Sequence, residues 1–170
     1  MAKGRRSRSI ASESAPTSGS DGDARDAAVR LLARASRSAA EIEAQLTRRR
    51  FAPESVAEAV RSLRERGYLD DAELARRRAE ELLLRRGHGR LRVAHELTRR
   101  GVADSVIEAA IATVMEGRRD AEIARLALRR KFGHDSLSDA SVRARAYRFL
   151  IGRGHPAEVA SEILGDDDSR

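Results

Sequence analysis

The stretch ELTRRGV at residues 96–102 decides the reading of this chain, because QLTRRRF stands at residues 45–51. Arg is abundant here, so the flanks must show whether the repetition is more than chance. Setting Phe51 against Val102 aligns Leu46 with Leu97 and Ile42 with Val93 upstream, and Val56 with Ile107 and Val60 with Ile111 downstream. Offsets of four and five residues place these side chains on one face of each of two helices, with the turn at the anchor. A third copy is anchored on His155, with Leu150 and Ala146 before it and Ala160 and Leu164 after it; its turn reads GRGHP, residues 152–156. The period of about fifty residues lies in the range of helical arrays.

A further helix precedes each matched pair, over 25–35, 70–86 and 117–131. The expected fold is therefore all-α: three tandem three-helix repeats, helix-turn-helix-like. The repeats are expected over 24–67, 68–115 and 116–165. A single unit of this size buries little apolar surface, so neighbours should pack on one another. Residues 1–23, rich in Ser, Gly and Ala, read as a disordered tail, and 166–170 as a short acidic one.

Composition agrees. The apolar residues are mostly Ala, Leu and Val, aromatics make up 3% of the chain, and only 3 of 170 residues are Pro. The absence of Cys removes disulfides, thiolate catalysis and Cys-based zinc sites. No apolar run is long enough to span a bilayer and the N-terminus has no apolar signal core, so a cytoplasmic protein is expected. The net charge of +7 points to a polyanionic partner, either nucleic acid or an acidic protein surface.

Helix boundaries are marked by caps. Ser38 and Glu41 fit a capping box, and Asp70 with Glu73 its Asp variant, with Leu69 and Leu74 at the hydrophobic-staple positions beside Tyr68. Pro53 and Pro156 suit first turns of helices. Gly67, Gly87 and Gly101 suit left-handed C-caps, while the first repeat carries Arg50 where the second has Gly101, so a matching cap is not expected there. Gly89 completes a turn after Gly87 that separates His88 from His95.

The arginines are the candidate binding groups: Arg64, Arg76, Arg77, Arg85, Arg92, Arg99 and Arg100. Each alone suits a solvated helix face, with Glu73–Arg77 and Glu81–Arg85 at i,i+4 spacing. As a set they suit a contact surface, and guanidinium forks fit carboxylate and phosphate alike. Arg78 falls near the inward stripe, where its stem can cover the core edge. No metal-binding, phosphate-loop or dinucleotide motif is present, so neither cofactor nor catalytic residue is expected, and His155 reads as a turn residue before Pro156.

The segment 64–102 resembles the RecX family, regulators of the bacterial recombinase RecA. The resemblance rests on Arg66-Gly67-Tyr68-Leu69-Asp70-Asp71, the Gly87-His88-Gly89 turn, and Arg92-Val93, Leu97 and Arg100-Gly101; residues 36–51 resemble the family's N-terminal pattern. It implies an elongated curved array of the three repeats, and a non-enzymatic, monomeric protein that binds the groove of the recombinase filament on DNA. There it would mainly inhibit strand exchange, ATP hydrolysis and coprotease activity, and so affect recombination, DNA repair and the SOS response. Direct contact with DNA phosphates stays open, as does the alternative of a helix-turn-helix DNA-binding protein acting without recombinase.

Overall fold

The computed structural model describes residues 21–133 and 139–165, which form helices joined by short turns. The first repeat holds α1 (Asp21–Leu32), α2 (Ala39–Arg48) and α3 (Pro53–Glu65). The second holds α4 (Asp71–Glu80), continued by a π-helical turn over Glu81–Arg85, then α5 (Arg90–Arg99) and α6 (Asp104–Met115). The third holds α7 (Asp120–Phe132), α8 (Ala140–Gly152) and α9 (Ala157–Gly165). α1 starts at Asp21, so the last residues of the expected tail are helical, with Asp21 and Asp23 in the first turn where the helix dipole favours carboxylates. The rest of that tail, 1–20, and the acidic tail 166–170 lie outside the described residues.

Each repeat closes its own core, and the aligned positions build it. Ile42 and Leu46 are buried with Val56 and Val60 in the first; Val93 and Leu97 with Ile107 in the second; Ala146 and Leu150 with Ala160 and Leu164 in the third. Fully burying a Leu contributes about 1.5–3 kcal/mol, so these inward faces are what make each unit helical. Leu69 and Leu74 do not staple one helix end. Leu69 joins the first core and Leu74 the second, because the chain crosses from one unit to the next between them.

The caps behave as their chemistry requires. Ser38 forms the full box: its hydroxyl accepts from Glu41 N–H, and Glu41 accepts from the Ser38 N–H. Asp70 accepts from the Glu73 N–H, but Glu73 turns its carboxylate to Arg76 and Arg77, leaving half a box. Pro53 occupies the first turn of α3, whereas Pro156 stands just before α9 and accepts from Ala160 N–H. Arg50 adopts φ 62°, against 73° at Gly101 and 80° at Gly154, so the first turn takes the left-handed geometry despite its side chain. That geometry costs roughly 1–2 kcal/mol for a non-Gly residue.

The repeats join head to tail, and the hydrogen bonds across each joint link neighbouring repeats. At each joint, the turn before the last helix of one repeat docks on the start of the middle helix of the repeat before it. The Arg100 carbonyl accepts from the Ser38 hydroxyl at α2, and the Arg153 carbonyl accepts from the Gly89 N–H at α5. Ser38 and Gly89 are equivalent positions, as are Arg100 and Arg153, so one joint is made twice.

Candidate partner-binding surfaces

The expected contact arginines divide by what they touch. On α4, Arg76 donates to both Glu73 oxygens at 2.8 and 2.9 Å, and Arg77 reaches the same carboxylate at 2.5 Å. These two guanidinium hydrogen bonds pull the Glu73 carboxyl down to about 2. Glu80 sits 3.4 Å from Arg76. Arg64 lies 3.8 Å from Asp71. The α4 face is thus a charge-balanced lattice rather than a bare cationic one.

The expected Glu81–Arg85 pair does not form. The π-turn inserts a residue, and the Arg86 N–H bonds to the Glu81 carbonyl five residues back, so Arg86 rather than Arg85 comes over Glu81. Arg85 is exposed, and its carbonyl accepts from Arg130 at 3.0 Å. Arg78 bridges Glu81 and Glu96, tying the π-turn region to α5.

Arg100 is held inside the first joint. It donates to Glu41 at 3.1 and 2.8 Å and to the Ser36 carbonyl at 2.9 Å. Partial burial pushes the Glu41 carboxyl up, but the hydrogen bonds from Arg100 and Ser38 and the charges of Arg100 and Arg37 outweigh it, so it sits below its ordinary value. Asp71 has a role that periodicity does not reveal: it accepts from the Ala39 N–H at 3.0 Å, capping a helix of the preceding repeat. Asp120, at the same place in the third repeat, pairs with Arg90, the equivalent of Ala39.

Arg92 and Arg99 are different again. Both are exposed on α5, and neither forms an ion pair among the described residues. With Arg37, Arg48 and Arg100, Arg99 lines a cleft of about 350 Å³ between α2 and the end of α5. The Arg37 Nε is buried there without a hydrogen-bond partner.

The family-motif residues fall into structural and surface roles. Gly67 and Gly87 take left-handed φ, and Gly87 is packed against Ala127. Gly89 lies directly on the Gly154 carbonyl, leaving no room for a Cβ. Tyr68 departs from its expected staple role: its side chain is 65% exposed. It lines a groove of about 470 Å³ with Val29, Leu32, Leu74, Arg37 and Arg77. His155 stands in the turn before Pro156, as expected, but it is buried there. It is 1% exposed, in the anchor slot of Val102, with Nε2 3.2 Å from the Gly87 carbonyl. Among the described residues no cluster of His, Asp and Glu could hold a metal, and no helix is long and apolar enough to cross a membrane.

Three family models match in order: the first three-helix domain of RecX over residues 24–63, the second over 70–111 and the third over 119–164. The chain belongs to the RecX family. Regulatory protein RecX of Halorhodospira halophila is 37% identical over 158 residues, covering 86% of this chain and 91% of its own. That of Mycolicibacterium smegmatis is 31% identical, covering 83% and 77%. A crystal structure of RecX from Lactobacillus salivarius shares the fold, with a TM-score of 0.72 at 18% identity over 87% of this chain and 96% of that one. The tandem three-helix repeats described above are thus the RecX architecture.

Proposed function

We propose that this RecX-family chain binds the RecA recombinase filament in its groove on DNA and modulates it, chiefly by inhibition. The affected activities are strand exchange, ATP hydrolysis and coprotease action, and through them recombination, DNA repair and the SOS response. The protein acts by binding, without cofactor, as a cytoplasmic monomer. The observation that carries the reading is the head-to-tail array itself. Its units repeat along one direction, as the protomers of a filament do, and weak contacts on successive repeats reinforce one another through effective concentration. On this reading the Tyr68 groove and the neighbouring α4 face, with Arg64, Arg76, Arg77 and Arg85, meet the recombinase. An exposed aromatic beside arginines is the composition of an interface hot spot.

The test is recombinase ATP hydrolysis on single-stranded DNA, titrated with this chain well below one per protomer. Inhibition that weakens in Tyr68→Ala and Arg77→Ala, with unfolding midpoints unchanged, supports the reading. An unaffected rate at full occupancy sinks it and favours the DNA-only alternative, to which the unpaired arginines of α2 and α5 otherwise lend support.

A further inference from the structure

We infer that the cleft between α2 and the end of α5 is a phosphodiester site, in which Arg37, Arg48 and Arg99 grip the backbone of a nucleic acid strand. The inference deepens the filament reading by assigning DNA contact to one face and leaving the α4 face to protein.

Four observations converge on the cleft. First, its only carboxylate is Glu41, and Glu41 is occupied by Arg100 and the Ser38 N–H. Among the described residues, the other three guanidiniums form no ion pair, whereas Arg76, Arg77 and Arg78 all do. Second, the buried Nε of Arg37 has no acceptor. A buried donor left unsatisfied is destabilising, and an oxyanion in the cleft would relieve it.

Third, the cations recur with the repeat. Arg48 and Arg99 each lie three residues before their anchors, Phe51 and Val102. Arg92 lies two helical turns before Arg99 on the same face of α5, and Arg145 of α8 stands at the position matching Arg92. Each position is basic in two of the three repeats, with Gly152 and Glu41 at the remaining ones, and cations shared by neighbouring units suit a polymer whose charge also repeats. Fourth, the cleft has no apolar anchor. Its carbon lining comes from Ala40 and Ala44, while the large apolar side chains line the Tyr68 groove, which meets the cleft only at Arg37. A protein partner's core contact needs such an anchor, and a phosphate does not.

The test is fluorescence anisotropy of a labelled single-stranded oligonucleotide, and of its duplex, with the full chain and no recombinase, over a salt series. The variant R37Q/R48Q/R99Q is compared with wild type and with R76Q/R77Q; R99Q alone, at an exposed position, serves if the triple variant unfolds. Each lost phosphate contact should flatten the log–log salt slope by about 0.7–0.9. The triple variant should therefore lose about two units of slope and bind at least about tenfold more weakly at low salt, with R76Q/R77Q near wild type. Equal slopes in the triple variant and wild type, a loss confined to R76Q/R77Q, or no binding by wild type would each overturn the inference. Failure of the two readings is separable. Arg37 also borders the Tyr68 groove, so the pair R48Q/R99Q, which leaves that groove intact, makes the distinction: if it keeps its DNA affinity but no longer inhibits the recombinase, the cleft takes a protein carboxylate, and the regulator reading survives without this site. If wild type binds DNA through the cleft but never inhibits, the phosphate site stands and the regulator reading falls.

Discussion

The two joints of the array place equivalent residues against each other but use different chemistry. Between the first and second repeats the contact runs through side chains: the Ser38 hydroxyl to the Arg100 carbonyl, Arg100 to Glu41, and Asp71 to the Ala39 N–H. Between the second and third it runs largely through backbone. Gly89 N–H bonds to the Arg153 carbonyl at 2.9 Å, Leu91 N–H to the Gly154 carbonyl at 3.1 Å, and His155 reaches the Gly87 carbonyl. Both joints close on a glycine: a Cβ at Gly101 would meet Ala40 in the first, and one at Gly89 would meet the Gly154 carbonyl in the second. Around that shared geometry the first joint adds the partly buried Arg100–Glu41 pair, and the second adds direct main-chain hydrogen bonds and the more exposed Arg90–Asp120 pair.

The largest effect is expected from Gly89→Ala. Its new Cβ would overlap the Gly154 carbonyl, so the third repeat must shift or undock. Overpacking of this kind costs about 1–3 kcal/mol, occasionally more. Hydrogen exchange should show lost protection in α8 and α9 with α1–α3 unchanged; uniform protection throughout would mean that the seam yields without cost. Next is Glu41→Gln, which leaves Arg100, at 22% side-chain exposure, without its charge partner. A loss of about 1–2 kcal/mol is expected, read by urea unfolding of wild type, E41Q, R100Q and the double variant. Additive single losses would show that the pair does not couple.

Acid should open the joints in separate windows. His155 is held below its ordinary 6.5 by burial, which outweighs the Gly87 hydrogen bond and the Asp120 charge that favour the protonated ring; the charges of His88 and Arg153 add smaller depressing effects. The unfolded state therefore binds more protons than the folded one just below pH 6.5, so stability present above that value is lost as pH falls. Glu41 is also depressed below its ordinary 4.5, so its contribution is present above 4.5 and lost further down. His155→Gln, which keeps a donor for the Gly87 carbonyl, should erase the upper slope and leave the lower one. An unchanged upper slope in H155Q would assign it elsewhere, with His88, itself depressed by burial and by the Arg153 charge, the next group to replace. The smallest effect is expected from Asp70→Ala, which removes the cap of α4 but leaves the Asp71 contact with the Ala39 N–H in place, and should cost about 1 kcal/mol without altering either pH window. A larger loss would show that the Asp71 contact depends on that cap.

The repeat, the inward faces and the full Ser38 cap were legible because each depends on neighbours a few residues away. What escaped depends on a partner far along the chain. Asp71 caps a helix that begins 32 residues earlier, and nothing in its local pattern distinguishes it from Asp70. His155 is polar in an apolar slot, and its acceptor belongs to another repeat. Arg50 takes a glycine-like conformation because Arg49, Arg50 and Phe51 N–H all bond back into the end of α2, and this outweighs its own preference. The arginines were legible as a set, but not the division between those neutralised on α4 and those left unpaired around α2 and α5. That division depends on which carboxylates face which helix, and the π-turn alters it midway.

Arg50 also bears on how far such an array can grow. A head-to-tail joint is open-ended, and surfaces of this kind build fibres when nothing terminates them. A Cβ at Gly101 would come within 2.5 Å of Ala40, so a turn bearing Arg50 cannot dock as Gly101 does. At the other extremity α8 begins a turn earlier than α2 and α5, and the Val142 N–H, which matches the donor at Gly89, is already taken by Asp139. Among the described residues, neither outer end therefore repeats the geometry of the two internal joints.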